Sequence, residues 1–157
     1  MSLYNALLHA HSVGRWIILI LLVIAIVNSL VAGRRSYTRS DARIGLLLTI
    51  FSDIMLLAGI YLWYAGTWGY QQIVTRGMAE VMKDPTARFY AIEHLAGMLV
   101  AIILIHVGKA QGGKQISDRA KHSRSLIFYT LALLIKCAGH QVRVDPAVPV
   151  RVIRILE

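Results

Sequence analysis

The chain has 157 residues, of which 57% are hydrophobic, and its formal net charge is +9. With a mean hydropathy of +0.59, this composition argues against an ordinary soluble domain and favours a membrane protein. The single cysteine, Cys137, excludes an internal disulfide.

Four apolar stretches follow one another, at residues 16–33, 44–64, 89–108 and 125–135. A hydrocarbon core of roughly 30 Å needs about 20 helical residues, so the first three are long enough to cross it and the fourth is short. We predict an all-α fold, a four-helix transmembrane bundle with up-and-down topology. Its helices cover about 12–33, 44–64, 88–108 and 124–139 within one domain at 1–139, and an atypical basic tail follows at 140–157.

The predicted helix ends rest on local signals. Ser12 can cap the start of the first helix, and Gly33 can close it with a left-handed residue. Residues 65–88 form the longest connection. We expect one or two turns of surface helix there, ended by Pro85.

Basic residues are concentrated in the first and third loops between the apolar stretches. These are Arg34, Arg35, Arg39, Arg43, Lys109, Lys114, Arg119, Lys121 and Arg124. This distribution follows the positive-inside rule rather than the pattern of a nucleic-acid surface. The amino terminus is therefore predicted outside, in a multi-pass protein of the bacterial inner (cytoplasmic) membrane that is surrounded by lipid and binds no nucleic acid.

Two histidines lie at similar depth in this topology. In an up-and-down bundle the first and third helices are parallel, so His11 and His94 both lie near the outer side. A heme takes two axial imidazoles on opposite faces, commonly from facing helices. Arg15 and Glu93 fall near the same level and are expected to pair with each other, or Arg15 to bind a heme propionate. Two histidines at a membrane edge also occur without any ligand, so that interpretation stays open, as does ligation by His9.

Three further polar residues belong to the membrane stretches or their edges. His106 and His122, both on the cytoplasmic side, could form a second heme or metal site. His106 is 12 residues after His94, about 18 Å along a helix, so these two cannot share one iron. Asp53 is an intramembrane charge, which marks a proton or ion pathway or else bonds to Ser52, Thr49 or Asn28.

Three segments carry a family resemblance: "LLHAHSVGRW" at 7–16, "RFYAIEHLAGMLVAIILI" at 88–105 and "IFYTLALLI" at 127–135. They resemble a family of small four-helix bacterial membrane proteins labelled cytochrome B-like. The resemblance implies a membrane cytochrome-like subunit with His11, Arg15, Glu93 and His94 as its signature positions. In that family the second helix often carries a histidine near the position of Asp53.

The hypothesis from the sequence is a b-type cytochrome-like membrane protein that transfers electrons through heme b. It would be an electron-transfer subunit rather than a stand-alone enzyme, with other respiratory or membrane-complex subunits as partners and a homo-oligomer as an option. Two alternatives remain open. One is a non-catalytic helical subunit that scaffolds a larger membrane complex, and the other is a metal- or proton-handling membrane protein that uses Asp53.

Overall fold

A computed structural model describes residues 3–138. Within that range the chain is helical and contains no strand, which confirms the all-α prediction for the described residues. The elements are α1 Leu3–Val31, α2 Arg39–Ala65, α3 Tyr70–Arg76, α4 Met78–Lys83, α5 Pro85–Arg88, a π-helical turn Phe89–Glu93, α6 His94–Ala110, a 3₁₀ turn Gln111–Gly113 and α7 Asp118–Ala138. The tail predicted at 140–157 lies outside the described residues.

Three helical stretches are long and apolar enough to cross a membrane: Leu3–Val31, Arg39–Arg76 and Pro85–Gly113. Their large apolar side chains point outward in many places, among them Ile20 at 57% and Leu57 at 70% exposure. A soluble protein would bury such side chains, whereas lipid solvates them. The chain therefore has the features of a multi-pass membrane protein.

The four long helices pack in the ring order α1, α2, α6, α7. Helix α1 makes its main contacts with α2 and α7, and α6 contacts the same two neighbours. Helices α1 and α6 therefore face each other across the centre. The buried core between the helices includes Ile18, Leu22, Leu48, Ile105 and Tyr129.

Close contacts fix which residues of neighbouring helices share a level. The Ser125 hydroxyl donates to the Gly108 carbonyl at 2.9 Å, which joins α7 to α6. A Cβ on Gly59 of α2 would lie 3.2 Å from His11 Cε1, and one on Gly97 would lie 3.8 Å from Ile135. The start of α1, the end of α2, the start of α6 and the end of α7 therefore meet at one end, which we call the histidine end.

Several helices extend beyond their predicted limits. Helix α1 begins at Leu3, so Ser12 lies inside it and His11 is two turns from its start. Gly33 does follow this helix with φ +56°, as expected for a left-handed terminator. Helix α2 begins at Arg39, where Thr38 and Asp41 form a reciprocal capping box. Helix α7 begins at Asp118, earlier than the predicted 124, and continues to Ala138.

The connection between α2 and α6 is a compact cap of short helices at the histidine end. Val81, Ala87 and Ala91 are buried together in it. Pro85 opens α5 rather than only ending the preceding helix, because Asp84 accepts hydrogen bonds from the backbone N–H groups of Thr86 and Ala87. The Arg76 guanidinium, together with these N–H groups, holds the pKa of Asp84 below its usual value.

Candidate functional site

His94 follows directly on a π-helical turn. Its N–H bonds to the carbonyl of Phe89, five residues earlier, so the helix is one residue wider per turn just before the histidine. The Phe89 ring lies against the His94 imidazole, with centroids 5.7 Å apart. Such π bulges inside helices are frequent at functional sites.

Trp63 of α2 supports this turn. Its indole N–H donates to the Ala91 carbonyl at 2.8 Å, inside the π-helical turn. A widened turn weakens the regular backbone ladder, so a side-chain donor to one of its carbonyls stabilises the conformation. Trp63 thus ties α2 to the segment that positions His94.

His11 reaches the same level from the opposite helix. It packs against Gly59 of α2, where any side chain larger than hydrogen would crowd the imidazole. One turn further along α1, Gly14 is in close contact with Met55 of α2. Two glycines thus allow α1 and α2 to approach closely around the His11 ring.

The structure brings His11 and His94 into direct contact. Their ring centroids are 6.5 Å apart and their planes are inclined by 72°. The Nδ1 atom of each ring is buried and has no hydrogen-bond partner within residues 3–138. Two adjacent buried nitrogens without partners are unusual, because a buried polar atom normally finds a hydrogen bond or a ligand.

Two cations lie near this pair. Lys136 of α7 and Arg15 of α1 both lie close enough to act on His11 and His94. Within the described residues, neither cation forms an ion pair with a carboxylate. The Arg15 guanidinium lies 5.6 Å from the centre of the Trp16 ring. The site therefore combines two imidazoles with two cations and is suited to a ligand that carries negative charge.

Glu93 does not pair with Arg15. Its carboxylate instead accepts from Arg88 Nε at 2.6 Å, and Arg88 also donates to the Met82 carbonyl at 3.0 Å. Glu93 is therefore turned toward the cap of short helices, while the next residue faces the bundle centre. The expected Arg15–Glu93 pair is corrected to an Arg88–Glu93 pair, because a partner five residues away on the same segment is nearer than one on the opposite helix.

The two histidines proposed as a second site have different partners. His106 Nε2 lies 2.9 Å from Asp53 Oδ1 of α2. His122 is buried, 3% exposed, and its ring lies 5.2 Å from that of Tyr37. Asp53 was expected to bond within α2 or to α1, yet its partner is on α6. Thr49, one of the expected partners, donates instead to the Gly45 carbonyl at 2.8 Å.

Comparisons with known proteins add no family to this geometry: no family model, no curated protein and no solved structure matches the chain. In the part of the chain that the structure describes, no group of three or more His, Cys, Asp or Glu side chains is placed to hold a metal ion.

Lys136 and Trp63 are the site residues that sequence reasoning missed. Lys136 lies within the predicted fourth helix at 124–139 but was not considered for the site, although counting residues back from the predicted cytoplasmic loop would have put it level with His94. The role of Trp63 depends on a π-helical turn 28 residues away along the chain. No local sequence pattern predicts that turn.

Proposed function

We propose that this protein is a b-type cytochrome of the bacterial inner membrane, in which His11 and His94 hold one heme by its iron near the outer face. The observation that carries the proposal is the imidazole pair between opposed helices, 6.5 Å apart, with both Nδ1 atoms buried and unbonded.

The residues present fit such a group. His11 and His94 would hold it: they lie on opposed helices with ring centroids 6.5 Å apart, and each has a buried Nδ1 without a partner among residues 3–138. Two protein ligands suffice for a heme iron, because the porphyrin nitrogens take the other four positions. Gly59 keeps the space beside the His11 ring free of a side chain.

The charges fit as well. A lysine and an arginine within a membrane span are costly unless compensated, by several kcal/mol in some estimates. The two propionates of a heme would supply the two negative charges that Lys136 and Arg15 lack within residues 3–138. Arginine is suited to this because its planar guanidinium binds carboxylates with two hydrogen bonds.

Each part of the chain then has a defined task. Heme supplies the one-electron chemistry when it is bound. His11 and His94 would hold it, with the Phe89 ring packed against His94, and the positive charges of Lys136 and Arg15 would favour the reduced form. Trp63 keeps the π-helical turn in place and so preserves the direction of His94.

The proposal includes α7 as a fourth membrane span and an amino terminus outside. Helix α7 has 21 residues, about 31 Å at 1.5 Å per residue, and it packs along both α1 and α6. The loops at 32–38 and 111–117 both lie at the end opposite the histidine end. They contain Arg34, Arg35 and Lys114, and the adjoining helix ends carry Arg39, Arg43, Lys109, Arg119, Lys121 and Arg124. The positive-inside rule assigns that end to the cytoplasm.

A visible spectrum tests the proposal. Protein purified after expression with ample heme should show sharp bands in the reduced-minus-oxidised difference spectrum. The bands should be lost in His94→Ala and retained in the matched control His9→Ala, since His9 is exposed and outside the pair. A featureless spectrum of the wild-type protein, or bands unchanged in His94→Ala, would contradict it.

A further inference from the structure

A second pair of ionisable residues lies within the spans, away from the histidine end. Asp53 is near the middle of α2, and its carboxylate contacts His106 of α6 at 2.9 Å. Both side chains remain about half exposed, at 46% and 48%. The pair therefore lies on the outside of the helical bundle, at a depth where the surroundings are lipid.

The two side chains meet because of helix polarity. Side chains lean toward the amino end of their own helix. Helices α2 and α6 run in opposite directions, so Asp53 and His106 lean toward each other from adjacent turns. The contact is thus a feature of the backbone arrangement rather than an accident of one rotamer.

The contact leaves hydrogen-bonding capacity unused. It takes one carboxylate oxygen and one ring nitrogen, and within residues 3–138 the other oxygen of Asp53 and Nδ1 of His106 have no partner. Water is absent from the hydrocarbon core, so such groups are costly when they face lipid. The free acceptor and the free nitrogen need partners from outside this chain.

Exposed apolar side chains surround the pair. On α2 they lie one or two turns from Asp53, and on α6 they precede His106. They are Leu46, Ile50, Leu57, Leu99 and Ile103. We call this surface the Asp53–His106 patch. An apolar surface with a polar centre is typical of helix contacts inside membranes.

We infer that the Asp53–His106 patch docks on the same patch of a second copy of this chain. A two-fold axis along the membrane normal places α2 of one copy opposite α6 of the other. Each carboxylate then faces an imidazole of its neighbour, and the four side chains form one closed network. This charge complementarity identifies the partner as a second copy of the chain. The imidazole and carboxylate of one copy supply the donor and the acceptor that the carboxylate and imidazole of the other copy need.

Inter-copy disulfide formation tests the inference directly. Two differently tagged copies are expressed together, both with Cys137→Ser, one with Leu57→Cys and the other with Ile103→Cys. Both positions are one turn from the pair and well exposed, at 70% and 59%. We expect mild oxidation of native membranes to join the two tags. Ile20→Cys on α1, 57% exposed, replaces Leu57→Cys in the matched control and should not be joined.

Exchange of the charges tests the pairing. Asp53→His alone gives a patch with two imidazoles, and His106→Asp alone gives one with two carboxylates. Each single variant should dimerise about tenfold less, given the strength of polar contacts between membrane helices. Co-expression of the two variants should restore the mixed dimer, because every cross-copy contact again joins an acid to a base.

Three results would overturn the inference. One is no joining of Leu57→Cys to Ile103→Cys while both chains are present in the membrane. Another is equal joining of the Ile20→Cys control, which indicates random collision. The last is cross-linking of the patch to a different protein. If the single charge variants do not accumulate, the cysteine cross-linking experiment, in which Asp53 and His106 are intact, still tests the inference. Heme is not needed for any of these outcomes, so this test and that of the proposed function fail separately.

Discussion

Lys136 is one of the two cations beside the histidine pair. It lies on the last turn of α7, partly buried, and acts on both imidazoles together with Arg15. A positive charge near a redox centre stabilises the form with one more electron. At an effective dielectric of about 20, one charge several ångströms away contributes on the order of 1 kcal/mol.

Replacement of Lys136 by Met should therefore lower the midpoint reduction potential of the bound heme. A change on the order of 1 kcal/mol corresponds to roughly 40 mV for a one-electron couple. Redox titration monitored by absorbance measures the shift. Lys83→Met is the matched control, because Lys83 is exposed and paired with Glu80 in the cap of short helices. Equal potentials in the Lys136→Met variant and the wild type would show that this lysine lies away from the redox centre.

At the residue scale, the sequence predicted the depth of a side chain in the membrane better than it predicted the side chain's hydrogen-bond partner. The shared depth of His11 and His94 followed from the parallel directions of their helices. The partners of Glu93 and Asp53 did not follow, because a side chain's choice among several neighbours depends on helix rotation. Helix rotation is set by packing, as at Gly59 and Gly14, and not by the charge pattern.

At the scale of elements, the close approach of α1 and α2 positions His11. Gly59 has no side chain, and a Cβ there would lie 3.2 Å from His11 Cε1. Crowding of this kind in a well-packed region costs about 1–3 kcal/mol, since neighbours must shift or leave their preferred rotamers. The group that would have to shift is the His11 imidazole.

The Gly59→Ala variant should therefore bind heme about tenfold more weakly, which corresponds to about 1.4 kcal/mol. Gly97→Ala is the comparison, because its Cβ would make an ordinary 3.8 Å contact with Ile135. It should retain affinity and gain thermal stability, since alanine is favoured over glycine inside a helix by roughly 1 kcal/mol. Heme titration and thermal unfolding in detergent measure both. A loss of affinity in Gly97→Ala that equals the loss in Gly59→Ala would contradict the assignment of Gly59 to the His11 contact.

The central part of each long helix could be predicted from the sequence, but the residues at which the helices begin and end could not. Apolar length identified the first three helices, while the first nine described residues of α1, 3–11, were missed because they mix polar and apolar side chains. Tertiary contact explains their helical state: a Cβ at Gly66 would lie 2.9 Å from the Tyr4 hydroxyl, so this part of α1 packs on the end of α2. The π-helical turn was likewise out of reach, because it depends on Trp63 of another helix.

At the scale of the whole molecule, the basic residues in and beside two loops predict the orientation in the membrane. The positive-inside rule places residues 32–38 and 111–117 in the cytoplasm and the cap of short helices outside. Single cysteines at Ser36, Gln115 and Gln71, each exposed, report this when Cys137 is replaced by Ser. A membrane-impermeant thiol reagent added to intact cells should label only the Gln71→Cys variant. Labelling of Ser36→Cys or Gln115→Cys from outside would reverse the orientation.

The central claim is that one iron is held between the imidazoles of His11 and His94. Titration of the purified apoprotein with hemin, followed by absorbance and electron paramagnetic resonance, tests it most directly. The account predicts one heme per chain with six-coordinate low-spin iron. Loss of either histidine should convert the iron to high spin or abolish binding. A chain that binds no heme, or a low-spin spectrum that persists in the His11→Ala/His94→Ala double variant, would contradict it.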